Sequence, residues 1–258
     1  MSKPHLHVIV LRIVLWLLLG AFAICTWAEG RPSEIRVAVF NDVGTGKSIK
    51  NLSEALADKE RFVVTKITAE EVRDGALKNF DILIHPGGSG SKQGKELGEE
   101  GREIVRAFVR DGGGFIGICA GAYLASADYD WSLHILDAKV LDRKHWARGT
   151  GRVQLALQDE AQTVLGDKRD NVEVYYGQGP LLAPANDPDI VDYTVISTYQ
   201  SEIAKNGTPR GVMIGTTAIA AAPFGEGRVL CFSPHPEKTD GMEFYIERAV
   251  IWVSAHRN

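Results

Sequence analysis

The pattern that most constrains the fold is a regular alternation of strand-like and helix-like segments between residues 34 and 119. Short runs rich in β-branched residues, such as EIRVAVF (34–40) and FDILIHPGG (80–88), alternate with segments of helical spacing, such as SIKNLSEALADKE (48–60). Strands that alternate with helices form a parallel sheet covered by helices on both faces. The sequence therefore predicts an α/β fold, a flavodoxin-like sandwich with a mainly parallel central sheet.

The same region contains further elements of both kinds. The predicted segments are RFVVTKIT (61–68), AEEVRDGALKN (69–79), GREIVRAFVRDGG (101–113) and FIGIC (115–119). Thr68 is placed to cap the helix at 69–79, with Glu71 three residues further on. Ligands of such sheets bind at the carboxyl ends of the strands, and those ends are NDVGTGKS (41–48), HPGGSGS (85–91) and CAGA (119–122).

Beyond Ser126 the sequence predicts a short antiparallel extension. The strand candidates are LHILDAKVL (133–141), RVQLALQ (152–158), VEVYY (172–176) and DYTVIST (192–198). A hairpin over residues 217–237 turns at GEG (225–227), and an amphipathic helix follows at 242–256. Residues 29–258 are therefore expected to form one domain.

The first 28 residues are predicted to be a secretory signal peptide. A short basic start precedes the apolar run IVLWLLLGAFAIC (13–25), and Ala28 offers a small residue for signal peptidase. The alternative is an uncleaved membrane anchor, because the apolar run counted from Val8 is long enough to span if Arg12 reaches the surface. The protein is thus expected to be exported, periplasmic or extracellular, and free of the membrane unless the segment stays attached.

Composition and motifs exclude several classes of function. The chain is 45% hydrophobic and 24% charged, as globular proteins are, and a net charge of −4 without a basic run argues against nucleic-acid binding. Neither C-x-x-C nor H-x-x-x-H occurs, so no metal site and no cofactor are predicted. The segment NDVGTGKS (41–48) is not a Walker A loop, because Asn41 stands where the first glycine is required.

The segment GGGFIGICAGAYLAS (112–126) contains G-x-C-x-G between a predicted strand and a predicted helix. This pattern is typical of a nucleophile elbow in which Cys119 replaces serine. Gly117 and Gly121 are expected because side chains at both positions would clash in so tight a turn. The helix N-terminus favours a thiolate, and the N–H of Ala120 is free to face an oxyanion. The alternative is a small apolar cysteine at a strand end.

The motif SPHPE (233–237) offers a base for this nucleophile. Pro236 disfavours helical angles at His235, and residues i and i+2 of an extended segment point the same way, so Glu237 is predicted to lie beside the imidazole. Cys119, His235 and Glu237 would act as nucleophile, general base and orienting carboxylate. The alternative is a loop histidine with a surface glutamate. Cys119 could also be bridged to Cys231 in an oxidising compartment, which would disable it.

The elbow GICAG (117–121) followed far downstream by HPE (235–237) resembles the class I glutamine amidotransferase-like superfamily. The resemblance implies the same roles for Cys119, His235 and Glu237. It also implies a second oxyanion donor in LIHPGGSG (83–90), at Gly88 or its neighbour Gly87.

One further motif makes the resemblance narrower. Together with YYGQGP (175–180), these segments are most similar to the domain at the N-terminus of biotin–protein ligases, which also occurs as stand-alone bacterial proteins. The resemblance covers residues 34–255. Because no ligase or biotin-transfer domain follows, no ligase activity is expected.

Other residues at the predicted cleft are candidates for substrate contact. Tyr176 and Gln178 are predicted to form a wall near the nucleophile, with Gly87 also close to substrate, and the alternative for this loop is a simple turn after a strand. GSGSKQG (88–94) is predicted to be a mobile loop that covers the cleft. His85, at the end of a strand, is expected to line it.

Two hypotheses of function follow. The first is a thiol-dependent amidase or hydrolase that acts on a small molecule or peptide containing an amide or related carbonyl. The second is a non-catalytic module that keeps the elbow and binds a small ligand or a peptide. The complete set of Cys119, His235 and Glu237 favours the first hypothesis.

Overall fold

A mixed sheet of eleven strands runs through residues 34–255, the part of the chain that the computed structural model describes. The predicted signal peptide or anchor, residues 1–28, lies outside the described residues. The strands, in chain order, are β1 (Ile35–Phe40), β2 (Phe62–Ile67), β3 (Ile82–His85), β4 (Gly114–Ile118), β5 (Ala138–Leu141), β6 (Gly151–Leu157), β7 (Asn171–Tyr176), β8 (Leu181–Pro184), β9 (Thr194–Tyr199), β10 (Thr217–Phe224) and β11 (Gly227–Phe232).

The sheet has a parallel half and an antiparallel half. Along its main path the strand order is β2-β1-β3-β4-β11-β10-β9-β6-β7. Pairing is parallel from β2 to β11 and antiparallel from β11 to β7, and β8 pairs with both β10 and β5. The predicted α/β fold, with its mainly parallel central sheet and antiparallel extension, is confirmed.

Helices cover the sheet on both faces. They are α1 (Ile49–Ala55), α2 (Ala69–Arg73), α3 (Gly90–Arg110), α4 (Ala120–Ala125), α5 (Glu160–Leu165) and α6 (Phe244–Ser254). Helices α1, α5 and α6 contribute to one hydrophobic cluster, and α2, α3 and α4 to a second. Within residues 34–255, none of these helices combines the length and the apolar character that crossing a bilayer requires.

The strands of the parallel half bury both of their faces along most of their length, except β2 at the edge of the sheet. Along β1, Val37 and Val39 lie in the first cluster, whereas Ala38 and Phe40 lie in the second. A strand buried on both sides reads as a continuous apolar run, which explains the lack of polar alternation in EIRVAVF. The carboxyl ends of β3, β4 and β11 are therefore held at one edge of the sheet by packing on both sides.

Helix α3 begins earlier than the sequence predicts. The motif GSGSKQG (88–94), predicted to be a mobile loop, forms the start of α3 from Gly90. A Cβ at Gly90 would lie 2.8 Å from the carbonyl oxygen of Ala120, and a Cβ at Gly94 would collide with that of Trp131. The glycines thus allow the helix to approach neighbouring backbone closely, which explains their presence without any need for mobility.

The capping box predicted for α2 is confirmed. The Thr68 side chain accepts a hydrogen bond from the Glu71 N–H at 3.2 Å, and the Thr68 N–H donates to Glu71 Oε2 at 2.7 Å. Each group satisfies a donor that the first turn of a helix leaves open.

Candidate active site

Cys119 occupies the sharp turn between β4 and α4. Its φ of 52° and ψ of −95° are angles that residues other than glycine rarely adopt. Its N–H donates a hydrogen bond of 2.7 Å to the carbonyl oxygen of Phe232 at the end of β11. The side chain is 5% exposed, and its thiol lies 3.5 Å from the carbonyl oxygen of Gly177. The predicted elbow is therefore present as a strained turn.

The two glycines of the elbow are required for different reasons. A Cβ at Gly117 would lie 2.5 Å from the carbonyl oxygen of Gly121, as the sequence argument expects. A Cβ at Gly121 would instead collide with the carbonyl oxygen of His85 in the neighbouring strand β3. The second glycine therefore lets α4 start directly against the sheet.

His235 and Glu237 form a buried hydrogen bond just beyond β11. Nδ1 of His235 lies 2.7 Å from Oε1 of Glu237. A 3-10 turn at Pro236–Lys238 brings them together, not the extended segment that the sequence predicts. The Thr239 hydroxyl donates to the His235 carbonyl at 2.9 Å and holds this turn closed.

The imidazole of His235 is enclosed by two glycines. A Cβ at Gly87 would lie 2.7 Å from its Cε1, and a Cβ at Gly177 would lie 2.6 Å from its Nε2. Because Nδ1 is bonded to Glu237, the Nε2 edge is the one available to Cys119. Gly87, predicted to contact substrate, is thus placed against the histidine and not among the residues that line the pocket.

Burial and two neighbouring side chains, Cys119 and Glu237, set the pKa of His235. Burial favours the neutral imidazole, but the charge and the hydrogen bond of Cys119, reinforced by those of Glu237, outweigh it and raise the pKa of His235 to about 10. The imidazolium form therefore persists at neutral pH. In this form the histidine can give a proton to a leaving group.

The two predicted oxyanion donors lie at the ends of adjacent strands. Ala120 is the first residue of α4, so its N–H has no partner within the helix. Gly88 (φ 143°) faces Thr45 in an isolated antiparallel bridge. The hydrogen bonds of this bridge are donated by residues that flank Gly88 and Thr45, so they do not use the N–H of Gly88. The loop 41–48 therefore supports the backbone at Gly88.

A pocket of about 520 Å³ opens at Cys119. Gly88, Gly177 and Gln178 line it close to the thiol. Gln178 has a φ of 71°, and its carbonyl oxygen accepts a hydrogen bond of 3.3 Å from the Tyr123 hydroxyl. Gln178 is thus where the sequence analysis places it, in the wall of the pocket.

Tyr176 lies beneath the pocket and does not form its wall. Its side chain is completely buried, and its hydroxyl donates to the carbonyl oxygen of Gly179 at 2.8 Å. Its ring packs edge-on against Tyr199, with 5.8 Å between centroids. Burial raises the pKa of Tyr176. Its hydroxyl is therefore committed to bracing the loop that carries Gln178, because the strand alternation directs it into the core.

His85 also lies away from the cleft. Its ring stacks between Phe40 and Phe115, with 4.5 and 5.6 Å between centroids, and its Nδ1 lies 3.0 Å from Oε1 of Gln93. Burial outweighs the hydrogen bond with Gln93 and lowers the pKa of His85 to about 4. The expected place in the cleft is wrong, and the residue is a neutral core histidine at pH 7.

Sequence reasoning missed the outer part of the pocket. Its lining there consists of aromatic and basic side chains, namely Tyr123, Tyr129, Trp131, Arg143 and Trp146. They come from α4, from the loop that follows it and from the segment after β5. The density of aromatic residues between 123 and 146 is a signal that could have indicated a ligand surface.

Both described cysteines are free. Cys231 lies in β11, fully buried, where desolvation raises the pKa of its thiol, and it forms no bridge with Cys119. Across residues 34–255, no group of three or more His, Cys, Asp or Glu side chains is placed to hold a metal ion.

Comparison with known families supports the predicted resemblance. Residues 35–147 match the family described as "Biotin-protein ligase, N terminal". This segment carries the Gly88 turn and the Cys119 elbow, while His235 and Glu237 lie beyond it. A comparison with the curated proteins finds no significant match.

Solved structures share the fold over most of the chain. A protein described as a GMP synthase subunit, from Thermoplasma acidophilum, is 15% identical, with 86% of this chain and 94% of that chain covered at a TM-score of 0.57. A chain of PurLQS from Thermotoga maritima is 15% identical, with 84% and 98% covered at 0.60. A ThuA-like protein from Bacteroides uniformis is 14% identical, with 85% and 91% covered at 0.54. The predicted glutamine amidotransferase-like fold is thereby confirmed.

Proposed function

We propose that the protein is an exported, thiol-dependent amidase or hydrolase that acts on a small amide or a related substrate. The amidotransferase-like fold supports an amidotransferase-type or related activity. One observation carries the finer proposal. The strained turn at Cys119 and the bonded pair of His235 and Glu237 follow β4 and β11, which are neighbouring parallel strands.

In the first half of the proposed reaction, His235 takes the thiol proton of Cys119, and the sulfur forms a bond to the carbonyl carbon of the amide. The carbonyl oxygen becomes an oxyanion, which the N–H groups of Gly88 and Ala120 stabilise. His235 then gives its proton to the amide nitrogen, and the C–N bond breaks. Ammonia or an amine leaves, and the acyl group remains on Cys119 as a thioester.

In the second half, water breaks the thioester. His235, now neutral, takes a proton from water as the oxygen attacks the acyl carbon. The C–S bond breaks, the carboxylic acid is released, and Cys119 and His235 return to their starting state. Glu237 keeps the imidazole in one orientation throughout, because its hydrogen bond to Nδ1 leaves Nε2 to carry the transferred proton.

Export is proposed from the sequence alone. The basic start, the apolar run at 13–25 and Ala28 support a cleaved signal. N-terminal sequencing of the protein recovered from outside the cytoplasm tests this, with a new N-terminus at Glu29 as the expected result. Recovery with the membrane fraction and an intact N-terminus would favour the anchor.

The first test of catalysis is the pH dependence of iodoacetamide labelling at Cys119. Wild type is compared with His235→Ala, and Cys231 serves as the internal control because it is fully buried. Fast labelling of Cys119 well below pH 8, lost in His235→Ala, is the expected result. Labelling at the rate of an ordinary thiol would favour a non-catalytic binding module.

The nucleophile itself is tested by substitution. Cys119→Ala should abolish any hydrolysis found in an amide screen and leave the melting temperature close to that of wild type. Unchanged hydrolysis in this variant would exclude covalent thiol catalysis.

A further inference from the structure

Three flat side chains are stacked in the outer part of the pocket. The rings of Tyr129 and Trp131 are 4.4 Å apart at an interplanar angle of 18°. The central guanidinium carbon of Arg143 lies 4.1 Å from the Tyr129 centroid. These three residues, called the stacked wall here, line the same pocket as Cys119. The stack holds the guanidinium against a rigid aromatic support.

Arg143 gives this wall a positive charge. It is the one formally charged side chain among the described residues that line the pocket. Its Nη1 donates to Asp128 at 3.3 Å, and it also interacts with the Tyr129 hydroxyl, while the side chain stays 52% exposed. A guanidinium has five N–H donors in a planar fork, so these neighbours leave donors for a carboxylate.

Trp146 adds an apolar surface at the edge of the pocket. It is 56% exposed and lies three residues after Arg143. An indole combines a large apolar face with a preference for stacking on other rings. Trp146 and Arg143 together provide two kinds of contact to the same pocket, ring stacking and charge, within one short segment.

The size of the pocket exceeds what a minimal amide needs. Its volume of about 520 Å³ lies in the range of roughly 300–1,000 Å³ that holds ligands of drug-like size. A substrate that reaches from Cys119 to the stacked wall therefore has a second part beyond the reacting amide.

We infer that this second part carries an aromatic ring, which stacks on Trp146, and a carboxylate, which binds Arg143. The inference rests on the proposed function for the position of the amide at Cys119. Arg143 and Trp146 are then the residues that determine specificity. Neither takes part in the bond changes.

The test measures binding to Cys119→Ala protein by calorimetry, so that turnover is not needed. The probes are N-benzoylglutamine, N-acetylglutamine, which lacks the ring, and the neutral α-carboxamide of N-benzoylglutamine. We expect N-benzoylglutamine to bind roughly tenfold more tightly than either of the other two. Adding Arg143→Gln should remove the preference for the carboxylate, and Trp146→Ala should remove the preference for the ring.

Arg152→Gln is the matched control. Arg152 is 50% exposed and paired with Glu173 at 3.5 Å, but it does not line the pocket. Its substitution should leave all three affinities unchanged. Equal affinities for the three probes, no binding of any of them, or a carboxylate preference that survives Arg143→Gln would overturn the inference.

Labelling of wild-type Cys119 separates this inference from the proposed function. A reactive Cys119 without any ligand preference overturns the specificity assigned to Arg143 and Trp146 alone. A clear ligand preference with an unreactive Cys119 overturns the catalytic proposal alone.

Discussion

The protonation of His235 depends on burial, which lowers its pKa, and on its contacts with Cys119 and Glu237, which raise it. Burial opposes the charged imidazole, and the contacts with Cys119 and Glu237 reverse that effect. Cys119 makes the larger of the two contributions that raise this pKa, and Glu237 makes the smaller. In Cys119→Ala the pKa of His235 should therefore fall well below its wild-type value. Glu237 alone then remains to offset burial.

This change can be followed by NMR titration of the His235 ring protons in wild type and Cys119→Ala. Glu237→Gln provides a comparison, because it removes the weaker contribution and should lower the pKa by less. A His235 pKa that is the same with and without the thiol would show that the two side chains are not coupled.

Gly177 is predicted to be as necessary to the site as the histidine it touches. Because a Cβ there would lie 2.6 Å from Nε2, Gly177→Ala should push the imidazole away from Cys119. The labelling rate of Cys119 should fall to the level of His235→Ala. Gly207→Ala, at a position with open space around it, is the control. Labelling of Cys119 at the wild-type rate in Gly177→Ala would show that Gly177 does not determine the position of the His235 imidazole.

At this scale the sequence predicts the turn at Cys119 and the pairing of His235 with Glu237 better than their surroundings. Cys119, His235 and Glu237 are recognisable because each lies in a short motif with a chemical reason for its residue types. The enclosure of His235 by Gly87 and Gly177 is not recognisable, since these residues meet only after three distant segments converge. Tyr176 shows the same difficulty, because its buried orientation depends on the core beneath β7.

At the scale of elements, the early start of α3 determines where the stacked wall can lie. Gly94 contacts the backbone of Trp131, and a methyl group there would collide with it. Gly94→Ala should therefore destabilise the protein by about 1–3 kcal/mol, the usual cost of overpacking. It should also weaken ligand binding, because Trp131 supports Tyr129.

Gly98→Ala is the comparison for this prediction. Gly98 marks a kink within α3, with a φ of 68° and a ψ of 179°, and has open space around it, so its substitution carries only the cost of an unfavourable backbone conformation, about 1–3 kcal/mol. Denaturant melts measure both effects, and ligand affinity separates them. Equal ligand binding by the two variants would show that Gly94 does not position the wall.

The strand and helix types of the parallel half could be predicted because they depend on local periodicity. The start of α3 could not, because its glycines suit both a loop and a closely packed helix, and only the neighbouring α4 and Trp131 decide between them. The order of the strands was only partly accessible. The hairpin that turns at GEG (225–227) predicts the pairing of β11 with β10, which is confirmed, but nothing local in RVLCFS (228–233) indicates that β4 lies on the other side of β11.

For the whole molecule, His85 makes stability depend on pH on the acid side. Its pKa is lowered from 6.5 to about 4 in the folded protein, so the unfolded chain binds this proton more readily. Neutral, buried His85 therefore contributes on the order of 3 kcal/mol to the free energy of unfolding, relative to acid conditions. This contribution is fully present above pH 6.5 and is lost as the pH falls toward 4.

Urea denaturation between pH 7 and 4 measures this loss. His85→Leu should be less stable than wild type at pH 7, because the buried Oε1 of Gln93 loses its partner, but its stability should fall less steeply with acid. Parallel slopes for the two proteins would assign the acid sensitivity to other groups.

The central position of β11 has a consequence for biosynthesis. The chain is made from its N-terminus, yet one of the last strands to be synthesised is inserted between β4 and β10 and anchors the N–H of Cys119 through Phe232. Cys119, the proposed nucleophile, thus leaves the ribosome long before His235, its proposed base, has been synthesised. A nascent or truncated chain carries Cys119 without this histidine, and the proposed chemistry becomes available only once synthesis and sheet closure are complete.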